Sequence, residues 1–266
     1  MLYYLLAIPA ILVTIWIFFL SPALSLWWLL PIAFGCFVAV NLLFALFMLV
    51  LSLLVDMRKE NKKINRFYYT VTLLFDDWIL AICRVKIHTT GMEKLPPDGE
   101  FLLVSNHRSN FDPLVTWWAL RDRSLAFVSK PENLYKIVFG RCTHKCCFLA
   151  IDRENPRNAL KTINTAAELM RNHECSFAIY PEGTRSKSGQ LLEFRNGAFK
   201  AAKKANVPIV VATIEGTEQI AHRTPWRATD VYLTILDVVD AETVKANPTH
   251  DLGERIHAQM YAQLGQ

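Results

Sequence analysis

The sequence predicts an α/β protein: a mostly parallel twisted sheet flanked by helices, preceded by an N-terminal hydrophobic helical hairpin. Three observations carry this. Short apolar runs bounded by turn residues alternate with helical patterns, as expected of parallel strands covered on both faces. All 29 basic and 24 acidic residues lie after Val55, so an uncharged apolar head precedes a charged body. That body, residues 56–266, is long enough for one α/β domain with a substantial core.

Residues 1–20 have about the length of one spanning helix. Ser21-Pro22 interrupts the pattern, yet residues 23–55 stay apolar. A single helix over 23–55 would be roughly 50 Å long at about 1.5 Å per residue, more than the ~30 Å hydrocarbon layer. Pro31 offers a break and leaves Ile32 to Val55 as a second span. Arg58, Lys59, Lys62, Lys63 and Arg66 follow at once. The positive-inside rule then puts the body on the cytoplasmic face of the cell membrane, with the N-terminus on the same side. A shallow hairpin entering one leaflet is the competing reading. No basic n-region or small-residue cleavage site marks a signal peptide. The formal charge of +5 belongs wholly to the body. It suits a bilayer surface or phosphate esters and is too mild to argue for nucleic acid. The chain thus divides into a membrane-anchoring hairpin (1–55), a basic linker with an interfacial helix (56–83) and a third unit (84–266).

Along the body, residues 67–83 are apolar and aromatic apart from Asp76-Asp77, and read as an amphipathic helix. Arg84 to His88 alternates like an edge strand, and Gly91 to Gly99 is a turn. Strands are expected at 101–105, 125–129, 148–151, 175–180, 207–214 and 230–237. Helices are expected near 113–120, 156–172, 197–205 and 251–264, the second carrying Leu160, Ile163, Ala167 and Met170 at helical spacing. Six cysteines in a cytoplasmic setting should be reduced. Cys142-Thr-His144-Lys-Cys146-Cys147 invites a metal reading, but adjacent cysteines without a second ligand pair are poor zinc spacing. The bland alternative is a strand edge with packed thiols.

Two strings carry chemistry. Asn106-His107-Arg108-Ser109-Asn110-Phe111-Asp112 follows an apolar strand and opens a helix at Asp112-Pro113. A strand ending in such a loop can hold a general base, His107, beside its orienting carboxylate, Asp112. The plainer reading makes Asp112 an N-cap with Pro113 at N1, and His107 an ordinary loop residue. Tyr180-Pro181-Glu182-Gly183-Thr184-Arg185-Ser186 closes another strand. Gly183 permits close backbone approach, Arg185 can bind an anion and Glu182 can order the loop; a simple turn is the alternative. Between them, Phe148 to Arg153 ends a strand with an ion pair. Arg153 can be a second phosphate ligand or half of a surface salt bridge. There is no G-x-S-x-G, G-x-G-x-x-G or P-loop string, and His173-Glu174 lacks the second metalloprotease histidine.

These residues resemble the lysophosphatidic acid acyltransferases of the glycerolipid acyltransferase superfamily. The resemblance covers roughly residues 84–237 and rests on four blocks in the family's order. They are the H-x4-D block at His107 to Asp112, then Phe148 to Arg153, Pro181 to Arg185, and Val207-Pro208-Ile209. Gly91-Met-Glu93-Lys-Leu95-Pro96 resembles the family's lead-in. The apolar head is longer than the minimal family anchor. The resemblance implies that residues 84–266 form an acyltransferase domain. It implies an acyl thioester donor, on coenzyme A or acyl carrier protein, with lysophosphatidic acid as acceptor and phosphatidic acid as product in phospholipid biosynthesis. No metal or cofactor is expected; the donor is a substrate. His107 and Asp112 would be catalytic, with Arg153, Glu182, Gly183, Thr184 and Arg185 binding the acceptor. Another lysophospholipid or polyol phosphate is an alternative acceptor. A membrane-anchored lipid-binding protein without turnover and a hydrolase are the readings from other classes.

Overall fold

The computed structural model describes residues 2–21, 25–152 and 155–266, with side chains from Leu6 onward. Pro22 and Arg153 therefore lie outside the described residues. The apolar head forms two helices packed along each other, α1 (Leu2–Leu20) and α2 (Leu29–Leu53). Pro31 does not break α2. It occupies the first turn, where its missing N–H leaves no helical hydrogen bond unmade, and a 3-10 turn at Leu26–Trp28 precedes it. The continuous helical stretch Leu26–Leu53 is long and apolar enough, by length and composition, to cross a membrane.

Helix α3 (Arg66–Ile82) starts at Asn65, whose side chain accepts the Tyr68 N–H. It runs antiparallel to the second half of α2. Tyr68 Oη donates to Leu51 O at 3.2 Å near one end, and Trp78 Nε1 donates to Asn41 Oδ1 at 2.7 Å near the other. The rings of Phe75 and Trp78 close on Phe44 between them. Tyr69, Thr72, Asp76 and Leu80 form the buried stripe on its other face. The amphipathic helix is thus sandwiched between hairpin and domain.

The body is a seven-stranded sheet in the order β1-β7-β6-β2-β5-β3-β4. Its strands are β1 (Val85–Thr90), β2 (Leu102–Ser105), β3 (Leu125–Ser129), β4 (Leu149–Ala150), β5 (Ser176–Ile179), β6 (Ile209–Glu215) and β7 (Thr229–Val239). Strands β2 to β6 are mutually parallel; β7 is antiparallel to β6, and β1 is parallel to β7. The apolar runs of β2 and β5 are buried along their whole length, which is why they show no alternation. Since β1 and β7 run the opposite way, their first residues lie at the sheet end where β2, β5 and β6 finish; Glu215 pairs with Tyr232.

The covering helices are α4 (Asp112–Ala119), α5 (Pro131–Leu134), α6 (Phe139–His144), α7 (Pro156–Arg171), α8 (Lys200–Ala205), α9 (Ile220–Arg223), α10 (Ala241–Ala246) and α11 (Thr249–Gln263). Helices α5, α6, α9 and α10 were not expected; at four to six residues they are too short to show a period. One correction concerns the cysteine cluster. It lies on no strand edge: Cys142 sits on α6, and Cys147 takes a left-handed turn with φ 63°. The thiols of Cys142, Cys146 and Cys147 are free and buried, and burial lifts the Cys142 pKa to about 11, so it is an inert packing group.

Candidate active site

Strand β2 delivers its last residue to a loop that the neighbouring strand grips. Asn106, 2 % exposed, uses its amide as a strand uses its backbone: Nδ2 donates to Ile214 O at 2.9 Å and Oδ1 accepts the Ile214 N–H at 2.8 Å. The next residue is His107. Its Nδ1 lies 2.7 Å from Asp112 Oδ2. That oxygen also accepts the N–H groups of Arg108 at 2.7 Å and Ser109 at 2.8 Å. The other oxygen, Oδ1, accepts the hydroxyl of Thr217, just beyond β6. Asp112 is wholly buried, so these four donors are what satisfy its carboxylate. An oxygen already taking two backbone N–H groups can only accept from the ring. The ring therefore donates from Nδ1, and in the neutral imidazole this leaves the lone pair on Nε2. This is the tautomer a general base needs.

Asp112 is not a helix N-cap. Phe111 holds that position, and the Asp112 carboxylate turns back to the loop N–H groups instead of forward to the helix. The capping alternative is not realised.

The loop after β5 is tied to the same histidine. Tyr180 stacks its ring on His107, with centroids 4.3 Å apart and planes 13° from parallel. Glu182, 4 % exposed, accepts the His107 N–H at Oε1 (2.6 Å) and the Leu192 N–H at Oε2 (3.1 Å). The Ser186 N–H donates to His107 O at 2.8 Å. Burial pushes the Glu182 pKa up to about 7; Asp112 adds to the rise, while the two N–H bonds and Arg108 oppose it. Gly183 has φ +75°, a conformation that strains any L side chain, and a Cβ there would sit 2.7 Å from Nε of the flexible Arg195 side chain, which would have to shift.

His107, Gly183, Thr184 and Arg185 line one cavity of about 320 Å³. Lys130 and Lys136, which follow β3, line it too. Asp112 and Glu182 stand behind its wall as buried supports. Sequence reasoning assigned no role to Asn106, Thr217, Lys130 or Lys136, nor to the Tyr180 ring. Asn106 adjoins the histidine string, so its burial at a strand end was a usable signal. Thr217 stands 105 positions from Asp112 and carried none.

Fold and site bring a buried carboxylate, the histidine bonded to it and three cationic side chains together around one pocket at the ends of parallel strands. A family model described as Acyltransferase matches residues 86–215, which span both loops. The chain is 27 % identical over 203 residues to the bovine 1-acyl-sn-glycerol-3-phosphate acyltransferase alpha, covering 76 % of this chain and 68 % of that one. It is 27 % identical over 165 residues to the Haemophilus influenzae 1-acyl-sn-glycerol-3-phosphate acyltransferase, covering 62 % and 68 %. The crystal structure of the 1-acyl-sn-glycerophosphate (LPA) acyltransferase from Thermotoga maritima shares the fold: TM-score 0.63 over 84 % of this chain and 88 % of that one, at 22 % identity. The chain is thus similar to acyltransferases over residues 86–215, just under half of its length.

Proposed function

We propose that the protein transfers a fatty acyl group from an acyl thioester, on coenzyme A or acyl carrier protein, to the free hydroxyl of lysophosphatidic acid. The product is phosphatidic acid, made for phospholipid biosynthesis. The observation that carries this is a histidine, bonded through Nδ1 to a buried carboxylate, that lines the same cavity as Arg185, Lys130 and Lys136. Base and anion ligands meet there, as a substrate with both a hydroxyl and a phosphate requires. The names of the relatives point to the same substrate.

In the proposed reaction Nε2 takes the hydroxyl proton as the oxygen attacks the thioester carbonyl. The C–S bond breaks as the tetrahedral centre collapses, and the imidazolium returns its proton to the thiolate. Asp112 holds the ring in register and stabilises the imidazolium. Arg185 grips the acceptor phosphate, with Gly183 and Thr184 lining the loop and Glu182 holding it to His107. Arg153, outside the described residues, is proposed as a second phosphate ligand. The apolar hairpin keeps the domain on the cytoplasmic face of the cell membrane, where both lipid substrates reside.

The test is to incubate membranes carrying the protein with labelled acyl-CoA and a panel of lysolipids. Label should appear in phosphatidic acid and fall about 10²–10⁴-fold with His107→Ala. Undiminished transfer by that variant would remove His107 as the base. Transfer to a different lysolipid alone would replace the acceptor.

A further inference from the structure

One strongly exposed aromatic lies far from both hairpin and cavity in sequence. Trp226 is 83 % exposed in the segment that joins α9 to β7. Cations surround it. Arg223 and Arg227 flank it in sequence and are exposed. Arg84, the residue after the α3 C-cap, donates through Nη1 to Trp226 O at 3.0 Å, and its carbonyl accepts the Thr229 N–H at 3.2 Å. Lys86 is exposed on β1 and near enough, with Arg223, to pull down the pKa of Asp230, although His88 contributes most to that shift. Asp230 is committed to His88 at 2.9 Å, leaving the patch a net cationic rim around an indole.

Two independent placements say what this rim faces. The first is topological. The starts of β1 and β7 lie at the sheet end where β2, β5 and β6 finish, so Arg84, Lys86 and Trp226 share the end that carries His107. The second is axial. Trp78 is level with Asn41 of the antiparallel α2. From Trp78 to Arg84 the chain advances about 9 Å, while from Asn41 back to Leu29 α2 advances about 18 Å, at about 1.5 Å per residue. The hairpin tip therefore passes the rim by about 9 Å, less than the ~15 Å of one hydrocarbon leaflet. A tip sunk in the apolar layer leaves Arg84 and Trp226 at headgroup depth, where indoles concentrate and arginines meet lipid phosphates.

We propose that Trp226, with Arg84, Lys86, Arg223 and Arg227, is a second membrane contact that docks on anionic headgroups and turns the active-site end of the sheet toward the bilayer. It rests on the reading of the hairpin as a membrane anchor and adds a surface that sets orientation.

The experiment uses the full chain with Cys36→Ser and Trp226→Cys, a nitroxide on the new thiol, and phosphatidylcholine vesicles with or without phosphatidylglycerol. Accessibility to oxygen and to a water-soluble nickel complex reports depth. The label should become oxygen-accessible and nickel-protected when phosphatidylglycerol is present, and remain aqueous without it. An aqueous label in both vesicles overturns the contact; equal insertion in both overturns its preference for anionic lipid. Arg223→Gln/Arg227→Gln removes two surface charges and should raise the KM for acceptor in anionic vesicles up to about 25-fold, at about fivefold per charge, with kcat unchanged. An unchanged KM overturns the orienting role. Failure of the parent chain to transfer acyl groups would instead strike the proposed reaction, because the depth measurement does not depend on turnover.

Discussion

Removing the Thr217 hydroxyl isolates the support behind the dyad. Thr217→Val keeps the volume, so no cavity opens, but Oδ1 of the wholly buried Asp112 loses its donor. A hydrogen bond to a charged group contributes about 1.5–3 kcal/mol, which corresponds to roughly 10–150-fold if all of it is felt in the transition state. Asp112 Oδ2 keeps the ring and two backbone N–H groups, so orientation largely survives and the lower end applies. The expected result is a fall in kcat of about tenfold, with KM for donor and acceptor unchanged. Thr217→Ser should recover most of it, since its hydroxyl can occupy the same place. Steady-state acyl transfer in mixed micelles measures both constants, and circular dichroism checks folding. A folded Thr217→Val enzyme with wild-type kcat, or a loss confined to KM, would refute the argument that Thr217 acts through Asp112.

Arg185→Ala should mainly raise the acceptor KM, and adding Lys130→Ala should raise it further, because both side chains line the cavity; a loss confined to kcat would remove the phosphate role. Gly183→Ala places a residue at φ +75°, costing about 1–2 kcal/mol, and pushes a methyl onto Arg195; thermal melts should show Tm lower by several degrees and transfer assays a lower kcat/KM. Glu182→Gln faces an NH2 against one of two N–H donors, which should cost about 1–3 kcal/mol in urea unfolding. Its pH dependence has a definite sign. The folded pKa of about 7 lies above the ordinary 4.5, so the folded chain binds more protons between those values. The stability Glu182 gains by staying protonated is present in full below about pH 4.5 and lost by about pH 7. Unfolding titrations should therefore show the wild type losing stability relative to Glu182→Gln over that window, and a constant difference would contradict the buried carboxyl.

Much of the site was legible because its parts are local strings. His107 and Asp112 sit in one loop, and Glu182 to Arg185 in another, each straight after an apolar run that could only be a buried strand. What was not legible depends on pairing across the chain. Nothing in a threonine after β6 announces that it will meet an aspartate 105 positions earlier. Lys130 and Lys136 reach the cavity because α5 and α6 fold the chain over it, and those turns lack a readable period. The reach of the Asp112 carboxylate was also hidden: Asp-Pro at a helix start fits a forward cap, and only the loop N–H groups behind it decide otherwise.

The tip of β6 serves both halves of the histidine loop, through Ile214 to Asn106 and through Thr217 to Asp112. During synthesis the ribosome releases the hairpin and the histidine long before that strand. The histidine loop therefore gains these two braces only when Ile214 and Thr217, about a hundred positions further along the chain, settle at the end of β6 beside β2.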